Sequence, residues 1–231
     1  MIRLLPRWVW IGAWLLALNA GMVNGIGLFS AYQQSITHLT GTTTLVAGSL
    51  ATGQWRLALH HALILFAFFA GTVLSGILIQ DSTLRLGRRY SVALGWAAGL
   101  LLLAIPLLDG HEEAGLYLIA CACGLQNAMV STYSGAVIRT THLTGMITDL
   151  GIYLGHAARG LPIDRRRLRL CLLVISGFVV GVFVGVWALR RLGFDALAIP
   201  ALICLAAAVG YWVLHVWTRR KRQAGSSNGA P

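Results

Sequence analysis

Along the chain, long apolar runs alternate with short polar connections. Six stretches contain no Asp, Glu, Lys or Arg: about Trp8 to Phe29, Ala58 to Ile79, Ser91 to Leu108, Gly115 to Ile138, Leu170 to Leu189 and Ala196 to Thr218. Each falls in the range of about 17–25 residues that crosses a hydrocarbon layer about 30 Å thick. Backbone polar groups in lipid must find their partners within the chain, so runs of this length predict helices and not the short alternating strands of a barrel. The expected fold is all-α, a polytopic transmembrane helix bundle.

The chain also repeats itself. Thr-His-Leu-Thr-Gly occupies 37–41 and again 141–145, and Gly-x-x-Asn stands upstream of each copy, as Gly21 to Asn24 and Gly124 to Asn127. Downstream of each copy comes an apolar span with small residues four apart, Gly71 and Ser75 in the first half and Gly177, Gly181 and Gly185 in the second. Such spacing lets helices approach closely. A shared pentapeptide with matching flanks, placed after the first span of each half, points to duplication. The expected division is a first repeat at 1–110, a second at 111–218 and a basic, disordered tail at 219–231.

Between Ser30 and Trp55 lies an uncharged stretch too apolar for a free loop. It predicts a broken or re-entrant element, an irregular Thr/Gly turn followed by a half-helix from about Thr42 to Thr52, with a second copy from about Met146 to His156. A dozen residues reach about 18 Å, roughly half a bilayer.

Charge then sets orientation. The chain carries 18 Lys and Arg against 7 Asp and Glu, a formal net charge of +11. The cations cluster beside the spans, so they are assigned to topology and not to nucleic acid. With six spans and the amino terminus inside, all of them except Arg56, Arg190 and Arg191 are cytoplasmic. Three spans per half then give two inverted repeats, with both termini in the cytoplasm. Four parallel spans per half would instead expose Arg85, Arg88, Arg89, Arg139, Arg190 and Arg191, which is less favourable. The cytoplasmic arginines are also expected to attract anionic membrane lipids.

The 231 residues are 57% hydrophobic and 11% charged, with a mean hydropathy of +0.74, which excludes an ordinary aqueous enzyme. The amino terminus imitates a signal peptide, but cleavage is not expected because the sequence beyond it belongs to the repeat. Cys121, Cys123, Cys171 and Cys204 all fall in spans. Cys121 and Cys123 point about 200° apart around a helix, the wrong geometry for one ion, so no metal is expected. His111-Glu112-Glu113 lacks the second histidine of a metalloprotease helix, and no nucleophile elbow or phosphate loop occurs. No catalytic residue, enzyme activity or cofactor is expected.

The candidate substrate-binding residues are Thr37, His38, Thr40, Gly41 and Thr42 with their counterparts Thr141, His142, Thr144 and Gly145. A Thr/Gly turn entering a helix offers hydroxyls and unpaired N–H groups, an end favourable to anions or electron-rich groups. Two readings stand: these residues line a solute site, with both copies aimed at one midplane point, or they cap and pack half-helices. Asp149 is the carboxylate that falls within a predicted membrane element, two turns from His142 on one face. It reads either as a proton-coupling group or as a structural ion pair with Arg139. Asn24, Gln126 and Asn127 are span amides, read as interhelical hydrogen-bonding groups. His60, His61 and His215 are placed at interfaces, and Trp8, Trp10, Trp14, Trp55, Trp212 and Trp217 in aromatic belts.

Ala136 to Gly155, reading A-V-I-R-T-T-H-L-T-G-M-I-T-D-L-G-I-Y-L-G, together with Gln126-Asn127-Ala128, closely resembles the YoaK family of bacterial inner-membrane proteins. The resemblance runs from about Asn19 to Leu214. It departs at Asn24, where the family often carries Asp, and at Thr42, where it often carries Asn. It implies a multi-spanning membrane protein and supplies no substrate or catalytic residue. The sequence favours a small-solute secondary transporter. A channel, or a noncatalytic module that binds lipid or a partner protein, are the alternatives, and a homodimer is a further expectation.

Overall fold

The computed structural model describes residues 7–79, 88–134 and 141–227. The helices are α1 (Arg7–Phe29), α2 (Leu39–Ala51), α3 (Trp55–Leu78), α4 (Arg88–Asp109), α5 (Ala114–Ser134), α6 (Leu143–Ala158), α7 (Arg165–Leu192) and α8 (Ala198–Ser227), with a 3-10 turn at Gly193–Leu197 between the last two. No strand forms among the described residues. Among the described residues, five helical stretches are long and apolar enough to cross a membrane, and the last, Arg165–Val213, takes in α7, the 3-10 turn and half of α8. Leu59, Phe66, Phe69, Leu103, Phe183, Trp187 and Leu202 stand exposed around the bundle. A soluble monomer rarely shows so continuous an apolar surface, and lipid covers it here.

The ends of these helices follow local chemistry. Asp164 caps α7 by accepting from the N–H groups of Arg166 and Arg167 at 3.0 and 3.2 Å. Gly53 and Gly160, at φ 72° and 69°, turn the chain just past the ends of α2 and α6 in a left-handed conformation that a side chain would strain. One expectation fails at the carboxyl terminus. α8 runs on to Ser227, so the tail expected without regular structure from 219 is helical over its first part. Arg, Lys, Gln and Ala are strong helix formers, and no glycine interrupts them before Gly225.

The core is organised by two close helix pairs. α1 runs parallel to α7, and α3 parallel to α5. On α1, Gly21 lies against the Phe178 carbonyl, while on α7 Gly181 lies against the Leu18 carbonyl. The other pair repeats this contact: Gly124 of α5 meets the Phe68 carbonyl, and Gly71 of α3 meets the Cys121 carbonyl. Each glycine thus sits on the carbonyl three residues before its partner glycine. A Cβ at any of these positions would strike backbone, and the small faces permit dispersion and Cα–H···O contact that larger side chains would prevent. Gly25, Gly177 and Gly185 extend the α1–α7 seam.

α1 and α5 run antiparallel. Val9, Gly12 and Ala13 share a small cavity with Met129 and Val130, and further along α1 Asn19 meets Gln126. Asn19 is fully buried; its Nδ2 donates to Gln126 Oε1 at 3.0 Å and to Cys204 Sγ at 3.3 Å, and Gln126 Nε2 donates to the Leu16 carbonyl at 3.0 Å. One polar knot therefore ties α1, α5 and α8 in the apolar interior.

Candidate functional site

Both half-length helices start from the same construction. After α1 ends at Phe29, the chain doubles back so that Gln34 and Ile36 lie beside Gly27, where any side chain would displace them. This brings Thr37 level with Asn24. Asn24 Oδ1 accepts from the Thr37 N–H at 3.1 Å, from the Thr37 hydroxyl at 3.0 Å and from the Ser35 hydroxyl at 3.0 Å. Asn24 and Thr37 are buried. Irregular backbone within the bundle leaves N–H groups without helical partners, and the amide carbonyl supplies one. In the second half, Thr141 donates to Asn127 Oδ1 at 3.3 Å. The two repeated motifs, Gly-x-x-Asn and Thr-His-Leu-Thr-Gly, are thus the two sides of one bracket, built twice.

The histidines explain the glycine that ends each pentapeptide. His38 and His142 are the residues preceding α2 and α6, yet neither side chain caps its helix. Instead each imidazole folds over the residue three further on, so that a Cβ on Gly41 or Gly145 would strike the ring. Both rings are exposed, as are Thr40 and Thr144, while Thr42 and its counterpart Met146 are buried. Thr44 and Thr148 return their hydroxyls to the carbonyls of Thr40 and Thr144 at 3.0 and 2.9 Å, a further matched pair. The first turn of each half-helix therefore presents an imidazole, a threonine and N–H groups without a side-chain cap, a combination suited to electron-rich solutes.

Two sequence expectations need correction here. The half-helices begin at Leu39 and Leu143, three residues earlier than expected, so Thr40, Gly41, Thr144 and Gly145 are helical and the irregular stretch lies upstream. The histidine, with its non-helical backbone, marks the boundary, and Thr-Gly is not a turn. Nor do the two copies converge on a single point. α2 packs on α3 and α6 on α7, and the two are not neighbours. Each half-helix packs instead on the outer member of a glycine pair, α2 on α3 and α6 on α7.

Asp149 is exposed on α6, two turns past His142, and forms no ion pair with any described residue. Arg139, its expected partner, lies outside the described residues, as does Arg85; nothing is described of the side chains of Trp8, Arg88, His215 or Trp217. No group of three metal-ligating side chains occurs among the described residues.

Sequence reasoning missed one cluster. His60 Nδ1 lies 2.9 Å from Glu113 Oε2 and 3.1 Å from the Tyr117 hydroxyl, with the His61 ring edge-on to His60 at 5.4 Å. His61 is buried, and its Nδ1 has no hydrogen-bond partner. Tyr32, in the doubled-back segment, stacks at 5.9 Å from Phe194. Burial, then the Glu113 and Glu112 carboxylates, push its hydroxyl above the usual tyrosine range. The segment before α2 is therefore seated on the same end of the bundle as the α4–α5 connection. The one signal in the sequence was that polar His60-His61 and Glu112-Glu113 each stand beside the start of an apolar run.

Fold and sites together define a multi-pass, all-helical membrane protein. The chain belongs to the family described as Protein of unknown function (DUF1275), which it matches over residues 12–210, and the resemblance to the YoaK family holds. It is similar to a UPF0700 transmembrane protein of Rhizobium meliloti (strain 1021), 28% identical over 204 residues that make up 87% of this chain and 85% of the relative. No solved structure matches the chain.

Proposed function

We propose that the protein is a transporter of small, electron-rich polar solutes in a bacterial inner membrane, built from six spans as two inverted three-span repeats with both termini in the cytoplasm. The antiparallel course of α1 and α5, the first helix of each half, supports the inversion. So does the distribution of arginine. Each Thr-His-Leu-Thr-Gly helix is then re-entrant, the first from the outer face and the second from the inner, and each side of the membrane meets one copy.

The observation that carries this reading is the exposure of His38 and Thr40, and of His142 and Thr144, at the inner ends of half-length helices. Imidazoles at that depth are costly in lipid and are accommodated where they face water or a solute. Asp149 is the proton-coupling group in this scheme. A second copy of the chain would cover the outward side of α6, where Gly151 and Gly155 leave open space. No catalytic step, cofactor or nucleic acid enters the proposal.

The test is aqueous access. In a chain whose four cysteines are replaced by alanine, Thr40→Cys is expected to react with a membrane-impermeant maleimide added outside, and Thr144→Cys with the same reagent inside. Uptake into proteoliposomes is expected to be saturable and lost in Asp149→Asn. If neither cysteine reacts from either side, both helix starts face lipid and the transport reading fails. Fast, nonsaturating flux that ignores a proton gradient would make the protein a channel.

A further inference from the structure

α6 and α7 differ in length, and the difference leaves a gap. They are joined by residues 159–164 alone and pack on one another, so they run antiparallel. α6 has 16 residues and α7 has 28. With the same rise per residue in both, α6 reaches only a little past the middle of α7. Beyond its first residue, Leu143, a groove of about 550 Å3 continues along α7 to Arg190, walled on the other side by Phe29 at the end of α1. Val179, Phe183, Trp187 and Arg190 stand four, four and three positions apart and share one face of α7, three apolar side chains followed by a cation. Val179, Phe183 and Trp187 are each more than half exposed, so the groove opens sideways to lipid.

The cation is the informative residue. Arg190 and Arg191 fall on the side opposite the cytoplasm, against the distribution that orients the rest of the chain. The carboxyl end of a helix favours both of them, but of the two only Arg190 lines the groove. Among the described residues no carboxylate lines it, and Arg190 forms no ion pair, although Asp195 is exposed on the turn that follows. The uncharged run of α7 ends at Leu189, which sets Arg190 at the boundary between hydrocarbon and headgroups.

An apolar trough in hydrocarbon that ends on a guanidinium at headgroup level complements an acyl chain with an anionic head. We propose that the groove holds one acyl chain of an anionic glycerophospholipid from the leaflet opposite the cytoplasm, with its phosphate on Arg190 and the chain lying along Trp187, Phe183 and Val179 toward Leu143. A guanidinium matches phosphate oxygens with paired, charge-assisted hydrogen bonds. The lipid then occupies the half of the bilayer that α6 leaves uncovered, and it holds the start of α6 against α7. The proposal is independent of the transport reading, because it needs only that this helix pair lies in a bilayer.

The test is lipid retention by the full chain. Protein purified in mild detergent is titrated with phosphatidylglycerol, phosphatidylcholine or palmitate, and bound molecules are counted by native mass spectrometry. Phosphatidylglycerol is expected to be retained in preference to both others. Arg190→Gln is expected to weaken its binding about fivefold or more, the worth of one cation near anionic headgroups. Arg191→Gln, which removes the same charge one position round the helix, leaves binding unchanged. Val179→Trp fills the trough from a lipid-facing position and is expected to lower retention with the cation intact. Equal weakening by Arg190→Gln and Arg191→Gln overturns the proposal, since the attraction is then diffuse. So does equal retention of phosphatidylcholine, displacement of the lipid by palmitate at equal concentration, or undiminished binding in Val179→Trp. Recovery of a lipid-free dimer that Val179→Trp dissociates also overturns it, because the groove then seats a second copy of the chain.

Discussion

Asn24 does one job with one atom. Its carbonyl oxygen takes a backbone N–H and two hydroxyls from a segment that has no helical partners of its own. A carboxylate can accept the same bonds. Asn24→Asp is therefore expected to keep the thermal stability of the purified protein. Asn24→Leu leaves buried donors unpaired at a cost of about 1–3 kcal/mol, read as a lowered melting temperature in detergent. Asn127→Leu is expected to cost less, because Asn127 takes a single hydroxyl among the described contacts. The sequence displayed both partners as repeated motifs but not their bond. They stand 13 and 14 residues apart, and Asn24 meets Thr37 only because the chain reverses against Gly27, a path no periodicity announces.

The elements themselves were far more legible. Each long helix lies close to its predicted span, because the thickness of hydrocarbon fixes how long an uncharged run must be. The short helices were placed three residues late, since the ring of His38 or His142 folds inward over glycine and no capping side chain marks the start. Pairings between elements were hidden: His60 finds Glu113 only once α3 is known to lie parallel to α5. Small residues at four-residue spacing did announce close contact, and they separate two kinds of glycine. Gly124→Ala drives a methyl into the Phe68 carbonyl, where only helix displacement relieves it, and is expected to cost about 2 kcal/mol or more. Gly41→Ala meets an exposed imidazole that can swing away, so its expected cost is under about 1 kcal/mol. Thermal unfolding of the two variants side by side checks the ordering.

For the molecule as a whole, the first helix of each half is clasped by the third helix of the other, α1 by α7 and α5 by α3. The halves read as separate units along the sequence, yet neither owns its tightest contacts. Residues 1–110 and 111–231 produced as two polypeptides are therefore expected to co-purify, and each produced without the other to be degraded. Recovery of a stable, monodisperse amino-terminal half would contradict the interlock. The same crossing governs biogenesis. While the ribosome is still making the second half, Gly21 and Gly71 stand in the bilayer against lipid tails, and the tightest contacts of the fold wait until the late helices arrive.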